Sequence, residues 1–358
     1  MTDLLSTTSR VPQLRPVVIE RPDLAMWRDV AAADRDALPE QLPEWIGAIC
    51  SSGRWTDATR GYDFPDGRSF VLPMVRLTRS AGSLSIFASP PHAWGMGGLL
   101  GPDQDPGVVA AVIDDLESLR AARVSIRIDP RHDVHWRSAA SDRAVTIERR
   151  AHVIDLEPGP DRLLESLNKS TRKSIRRAER NGVEVVVEHT GARLHHHYEL
   201  YLRSVERWAS TQHEPLRLAL WRARRRDPIE KLHRMAEAMQ HRFRHVIAYV
   251  DGAPAASAVV LLGGTARDTR GAIDRELAKG TGANDAVQWR AITEAHAHGC
   301  RWYNLGESGR SDNLAAYKER FGAIAIDHFE YRFERLPITR VDTAARGLVK
   351  RAIGFKDV

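Results

Sequence analysis

Long apolar runs are missing from this chain. Nowhere in its 358 residues do 18 or more apolar residues stand together, so no membrane-spanning helix is expected. The opening, Met1 to Arg15, has no apolar segment of the kind a secretory signal needs. Cysteine is nearly absent: Cys50 and Cys300 lie far apart and form no C-x-x-C or zinc pattern. A disulfide-supported fold and a thiolate metal site are therefore both disfavoured, and a reducing cytoplasm is the expected location. Four catalytic signatures are lacking as well: a Walker loop, a dinucleotide G-x-G-x-x-G before a helix, H-E-x-x-H and G-x-S-x-G. Nucleotide hydrolysis, dinucleotide redox chemistry, zinc peptidase and serine hydrolase activity all lose ground with them.

What is abundant is positive charge. The formal net charge is +6 and the sequence pI about 9.5, with arginine well ahead of lysine. A field of that sign attracts phosphates, coenzymes and nucleic acid, and guanidinium groups suit phosphate or carboxylate. Arginine-rich codon usage is the ordinary alternative. Globular composition, 42% hydrophobic and 28% charged, at this length suits two domains better than one core.

Patterning predicts a mixed α/β fold. Helical periodicity marks Leu24 to Val30 and Pro43 to Ile49, after a polar, loose stretch over residues 1–16. Asp66-Gly67 joins two alternating runs, Thr56 to Phe64 and Arg68 to Leu77, as a hairpin. A strand over Ser83 to Phe87, a helix over Pro106 to Ala122 and strands at Val124 to Ile128 and Val145 to Leu156 follow. Glu157-Pro158-Gly159-Pro160 breaks the chain and marks a domain boundary. Beyond it come helix over Asp161 to Arg180, a strand over Val183 to Glu188, and helical material from Arg193 to Met239. A second hairpin turns on Asp251-Gly252, between His245 to Val250 and Pro254 to Leu262, and a strand over Asp268 to Ile273 follows it. Helices over Asn284 to His298 and Asn313 to Arg320 alternate with strands over Arg301 to Leu305 and Ile324 to Phe333. The order of the second part repeats that of the first, so two copies of one fold are expected: residues 1–155, residues 156–335, and a basic tail over 336–358.

Three segments carry candidate chemistry. In Asn168 to Gly182, a helix stacks Arg172, Arg176 and Arg180 beside a stripe of Lys169, Lys173 and Arg177. Like charges at this spacing repel by on the order of a few tenths of a kcal/mol per pair, a cost that a polyanion removes. A solvated basic face is the alternative. In Lys279-Gly280-Thr281-Gly282-Ala283-Asn284, small residues before a helix expose N–H groups to an anion; a plain turn capped by Asn284 competes with that reading. In Arg301 to Gly322, a strand ends in a polar loop that starts a helix bearing Tyr317 and Lys318. Asn304, Glu307, Ser308 and Lys318 converge there, with Glu307 placed to accept a proton and Lys318 to stabilise a developing oxyanion, or else the pair serves structure alone. His92, Trp94 and Gly95 to Gly98 form a further pocket candidate, the glycines admitting a substrate to the backbone. His195 to His197 read as surface, Trp208, Trp221, Trp289 and Trp302 as core or pocket wall, and Cys300 as structural.

Arg172 to Gly182, the Tyr249 to Ala255 hairpin, Gly271-Ala272, Trp289, Asn304-Leu305-Gly306 and Tyr317 to Ala323 together resemble the Fem-type aminoacyltransferases. They also resemble the related GNAT-type and cellulose-biosynthesis-type acetyltransferases. The resemblance covers roughly residues 150–335. In the first 150 residues it rests on element order and the Gly95 to Gly98 stretch. It implies tandem GNAT-like domains with a cleft between them, and a tail that folds back on the first. It implies Lys318 as the functional lysine, preceded here by Tyr317 in place of phenylalanine. Asn304 replaces the aspartate of many relatives, which passes any base role to Glu307 or the substrate. The implied activity is direct N-acyl transfer from acyl-coenzyme A to an amine acceptor. The alternatives are tRNA-dependent aminoacyl transfer to a peptidoglycan precursor or small metabolite, and a non-catalytic RNA-binding or scaffold protein. On this reading catalysis falls to Lys318, Glu307 and Asn304, the donor to Lys279, Gly280, Gly282 and Asn284, and substrate to Arg172, Arg176, Arg177, Tyr317, Trp289 and Gly97. DNA, a metal and a tightly bound cofactor are not expected.

Overall fold

A computed structural model describes residues 15–356 except Ser141 and Arg310. Most of the loose stretch expected over residues 1–16 lies outside the described residues, as does Arg310 of the third segment. The chain opens with strand β1 (Val17–Glu20) and helices α1 (Leu24–Ala33) and α2 (Pro43–Cys50). Short strands β2 (Trp55–Asp57), β3 (Arg60–Asp63), β4 (Ser69–Leu72), β5 (Val75–Leu77) and β6 (Ile86–Ser89) follow. Then come α3 (Pro106–Ser118), β7 (Arg123–Arg127), α4 (Asp133–Ala140) and β8 (Val145–Asp155). The second part runs α5 (Pro160–Ser166), α6 (Lys169–Arg180), β9 (Glu184–Glu188), α7 (Leu194–Gln212), α8 (Leu216–Arg226) and α9 (Ile229–Met239). It continues through β10 (Phe243–Val250), β11 (Ala253–Leu261), β12 (Thr265–Ile273), α10 (Arg275–Ala278) and α11 (Ala283–Ala297). It ends with β13 (Trp302–Glu307), α12 (Asp312–Glu319), β14 (Ile324–Glu334) and α13 (Ile338–Ala352).

Among the described residues, eleven strands form one mixed sheet in the order β2-β5-β6-β7-β14-β8-β13-β12-β11-β10-β9. Its centre is the antiparallel β8–β14 pair, which runs from Val145↔Arg332 to Val153↔Ile324. On either side the grammar is the same. An antiparallel neighbour is followed by a parallel pair, β6–β7 or β12–β13, and that pair meets the central strand antiparallel. Helices α3 and α11 connect the two parallel pairs, as parallel pairing requires. β14 stands beside β7 and β8 beside β13, so each end of the chain's pattern completes the other's sheet.

Both predicted hairpins form, at Asp66-Gly67 and Asp251-Gly252. The first is shorter than expected. Its arms bend at Ala58-Thr59 and Pro73, and β3–β4 leaves the large sheet to pair with β1 in a small three-stranded one. Proline cannot donate to a ladder, which ends the run there. The single helix expected over Asp161 to Arg180 is two, α5 and α6, because Asn168 breaks away and caps α6 through its side chain to Thr171 N. The strand expected at Ser83 begins at Ile86, Gly82–Leu84 being a turn of 3-10 helix.

One core lies between β10–β13 and helices α6 and α11, built on Ile175, Ala178, Val246, Val287, Ile292 and Tyr303. A second packs β7 and β14 against α3 and α4 through Val112, Val124, Ile126, Trp136 and Tyr331. A third joins the two parts: Trp27, Trp45 and Trp94 from the first meet Met235, Phe243 and Leu261 from the second. The joint is tight at Gly263-Gly264. A Cβ on Gly264 would stand 2.3 Å from the carbonyl oxygen of Arg35, backbone against backbone. Gly264→Ala is therefore expected to lower unfolding stability by about 1–3 kcal/mol, the usual cost of overpacking. A urea midpoint unchanged from the parent would contradict this packing.

Candidate active site

The parallel strands β12 and β13 stay paired only from Thr265↔Trp302 to Arg267↔Asn304. Past that point β12 follows β11 and β13 follows β8, and a wedge opens between them. Four side chains meet at its apex. Asn304 Oδ1 accepts from Arg267 Nη1 at 2.8 Å and from the N–H of Gly306 at 2.8 Å. Arg267 Nε donates to Glu40 Oε1 at 3.2 Å, so a carboxylate from the first part of the chain reaches the apex. Lys318, on α12, turns inward and donates from Nζ to the carbonyls of Gly306 and Glu307, both at 2.9 Å. Gly306 holds φ at +80°, and the turn it makes aims both carbonyls at the amine.

The electrostatics follow from burial. Lys318, Asn304, Arg267 and Glu40 are all buried. Burial pushes the Glu40 carboxyl up to about 7 against the pull of Arg267. Its Oε2 has no hydrogen-bond partner. Desolvation draws the Lys318 ammonium down and the Asp268 carboxyl up, while their attraction to each other opposes both shifts. Asp268 lies on β12 one residue past Arg267, on the strand beside that of Asn304. Glu307 behaves in the opposite way. Burial would raise it, but Arg127 at 2.8 Å and Arg149 at 3.8 Å hold it below the usual carboxylate range. A carboxylate so paired is a poor proton acceptor.

Glu307 belongs to a buried ion network that spans the centre of the sheet. Glu330 joins it, receiving Arg149 at 2.7 Å, Arg332 at 2.6 Å and Arg127 at 3.7 Å. Sequence reasoning missed Glu40, Arg127, Arg149, Arg267, Asp268 and Glu330. Arg267 and Asp268, within two residues of the strand start expected at Asp268, carried the only local signal.

The basic helix and the glycine loop, read from sequence as separate features, are neighbours. A Cβ on Gly282 would stand 2.3 Å from Ser174 O of α6, and Gly282 has φ +87°, so both close approach and backbone demand glycine. Arg177 Nη1 reaches the carbonyl of Gly280 at 3.5 Å. Lys169, Lys173, Arg176 and Lys279 are exposed around this contact. Arg172 is turned away, its Nη1 donating to the carbonyl of Glu165. Asn284 does not cap α11: Gly282 occupies that position, and Asn284 Nδ2 donates to Tyr317 Oη at 2.7 Å. Trp289 packs against the core. The Gly95 to Gly98 stretch is filled by protein, with Glu40 against Gly95, Pro90 against Gly97 and Ile128 against Gly98. Gly97 N instead donates to Arg127 O at 2.6 Å. Beside it, Met96 Sδ lies 3.6 Å from Asn304 Nδ2. The His195 to His197 run is not all surface. His197 is buried and bonds Ser257 Oγ at 2.8 Å. Trp221 is exposed rather than walled in.

On the other side of the ion network lies a cavity of about 1620 Å³. Arg127 and Glu330 line it, as do His92, α7 to α9 and α13. No group of three or more metal-ligating side chains and no helix able to cross a membrane is found among the described residues.

Comparison with known proteins agrees with this architecture. Residues 166–319 match the model of the acetyltransferase (GNAT) domain family. The solved structure titled crystal structure of FemX superposes at a TM-score of 0.56 and 13% identity, covering 91% of this chain and 99% of that one. A conserved protein of unknown function from Bacteroides thetaiotaomicron VPI-5482 superposes at 0.52 and 12% identity, covering 88% and 99%. No curated protein sequence matches.

The ion network sets an acid limit on stability. Glu330 would be raised by burial alone, but Arg127, Arg332 and Arg149 override that and bring it from 4.5 to about 2. A carboxyl lowered on folding stabilises above its unfolded value, and that contribution fades as pH falls from about 4.5 toward about 2. Glu330→Gln should therefore cost the most near neutrality, roughly 2–3 kcal/mol. The gap to the parent protein should narrow between pH 5 and about 3 in urea titrations. A gap independent of pH would contradict the assignment.

Proposed function

We propose that this chain, with its GNAT-type and Fem-like fold, transfers an acyl group from acyl-coenzyme A to an amine. The carrying observation is the wedge between β12 and β13, occupied by Lys318 and Asp268 and adjoined by the Gly282 turn and its basic rim. On this reading the donor's phosphates meet Lys279, Arg176 and Arg177, and its thioester enters the wedge. The acceptor nitrogen attacks the thioester carbon, the C–S bond breaks, and an amide and a free thiol result. Asp268, with its raised affinity for a proton, takes the proton from the nitrogen and returns it to the departing sulfur. Lys318 opposes the negative charge that builds on the carbonyl oxygen. Proximity does the rest, since the thioester is already activated.

The repeated strand order supports reading the chain as two GNAT-like units, residues 1–155 and 156–335, that have exchanged their last strands. The second unit would hold the donor and the large cavity the acceptor. A donor made in the cytoplasm and two free thiols, Cys50 and Cys300, favour that compartment. One observation favours a second donor. Exposed cations of α6 lie beside exposed Lys279, a charge pattern that suits the phosphate backbone of an aminoacyl-tRNA.

Thiol release from acetyl-coenzyme A in the presence of a panel of amines tests the reaction. Lys318→Met and Asp268→Asn are each expected to lower the rate at least a hundredfold, with circular dichroism unchanged. Full activity in both variants would overturn the proposed roles. Binding measured across a salt series separates the donors, because affinity for charged tRNA should fall steeply with salt and affinity for the coenzyme should not.

A further inference from the structure

The sheet is covered on one face only over β6, β7 and β14. Val124 and Ile126 point toward α3 and α4 and are buried there. Their neighbours Arg123, Ser125 and Arg127 point the other way, with Glu330 and Arg332 of β14 beside them, and form the floor of the 1620 Å³ cavity. That space exceeds the range of about 300–1,000 Å³ usual for a drug-sized ligand.

Its roof is α13. The helix is tied at one end by Thr339, whose hydroxyl accepts from Arg332 Nη1 at 2.9 Å and whose N–H donates to Glu334. At the other end Lys356 N donates to Gln212 O of α7 at 2.9 Å. Between these ties Ile338, Val341, Ala345, Val349 and Ile353 line the cavity, one apolar stripe at helical spacing. An apolar stripe turned inward is normally buried, yet Val341 is 64% exposed and Val349 54%. Facing it, Trp208 of α7 is 42% exposed. The stripe and Trp208 all border the cavity.

The floor holds a cation that no carboxylate pairs directly among the described residues. Arg123 makes no ion pair among the described residues, and its Nε is buried without a hydrogen-bond partner. The carboxylates that act on it each bond another group: Glu334 bonds Thr339, Asp342 bonds Arg346, and Glu330 bonds Arg149 and Arg332. Arg332 on the adjacent strand lies beside it but is already held by Glu330 and Thr339.

We propose that this cavity binds a single-chain anionic amphiphile, its acidic group on Arg123 and its apolar chain under the stripe of α13. The inference rests on the acyl-transfer reading only in naming that amphiphile as the acceptor: the molecule would carry its amine toward Arg127, the cavity residue that touches Glu307 beside the wedge. Recognition by an apolar roof and a cationic floor would exclude small polar amines and neutral chains alike.

The test is calorimetric titration of the full chain with dodecyl phosphate below its micelle concentration, with inorganic phosphate and with a neutral dodecyl glycoside. One site per chain is expected, at least tenfold tighter for dodecyl phosphate than for either control. Arg123→Gln should remove the tenfold preference for the anion over the glycoside. Val341→Ser with Val349→Asp, at exposed positions that leave the fold intact by circular dichroism, should remove the preference for the chain over inorganic phosphate. No saturable binding, equal affinity for all three, or binding indifferent to both variants would overturn the inference. So would attachment to phosphatidylglycerol vesicles without binding of the monomer, which would point to a membrane surface. Acetyl transfer is followed on the same preparations. Saturable dodecyl phosphate binding without transfer to any amine would count against the transferase reading alone. Transfer to small amines without such binding would count against the amphiphile alone.

Discussion

The antiparallel pairing of β8 with β14 is the contact on which the rest of the molecule depends. One strand closes the first part of the pattern and the other closes the second, and each also pairs outward with the parallel strand of the opposite part. Neither part keeps a complete sheet if that pair separates. The chemistry is tied to it as well. Arg149 sits on β8 and Glu330 on β14, and their contact at 2.7 Å also fixes Arg127 and Glu307. Backbone ladder and buried ion network therefore share one seam, and a register shift there would scatter both.

Buried charge on this scale is expensive, and its arrangement explains why it persists. A buried carboxylate is tolerated when guanidinium groups surround it, because removing one partner leaves the other desolvated and unpaired. Glu330 has three such partners and Glu307 two. Glu40 has Arg267 alone and one unpartnered oxygen, and its carboxyl rises accordingly. Proton affinities thus diverge across a short stretch of sheet: held low where arginines crowd, raised in and beside the wedge. That division separates a structural network from groups able to exchange a proton.

Much of this was legible locally. Asp251-Gly252 marks a hairpin because both residues take the positive φ that a type I′ turn calls for, while at Asp66-Gly67 the glycine alone takes it. The helix starts at Asn168 and Gly282 were missed, the first inside a helix read as continuous and the second displaced to Asn284. Lys318 was found by its place in a motif after a strand. What stayed hidden is non-local. Asp268 becomes interesting only when β12 parts from β13 and Lys318 enters the gap, and nothing near residue 268 announces a strand 35 residues away. His197 was misjudged because three consecutive histidines on a helix point in three directions, and which one faces the sheet depends on how α7 docks. The glycines at 95 to 98 looked like room for a ligand, but Glu40, Pro90 and Ile128 occupy it.

The same distinction bears on how donor and acceptor meet. From the sequence, the basic helix and the glycine loop argued for different donors. Packed together through Gly282 and Ser174, they form one anion-attracting surface. The large cavity lies across the ion network, lined by Arg127, which bonds Glu307, whose carbonyl in turn receives Lys318. Three linked groups thus connect the cavity to the wedge. The charge of Glu307 also favours the Lys318 ammonium, so the ion network and the wedge share one electrostatic environment.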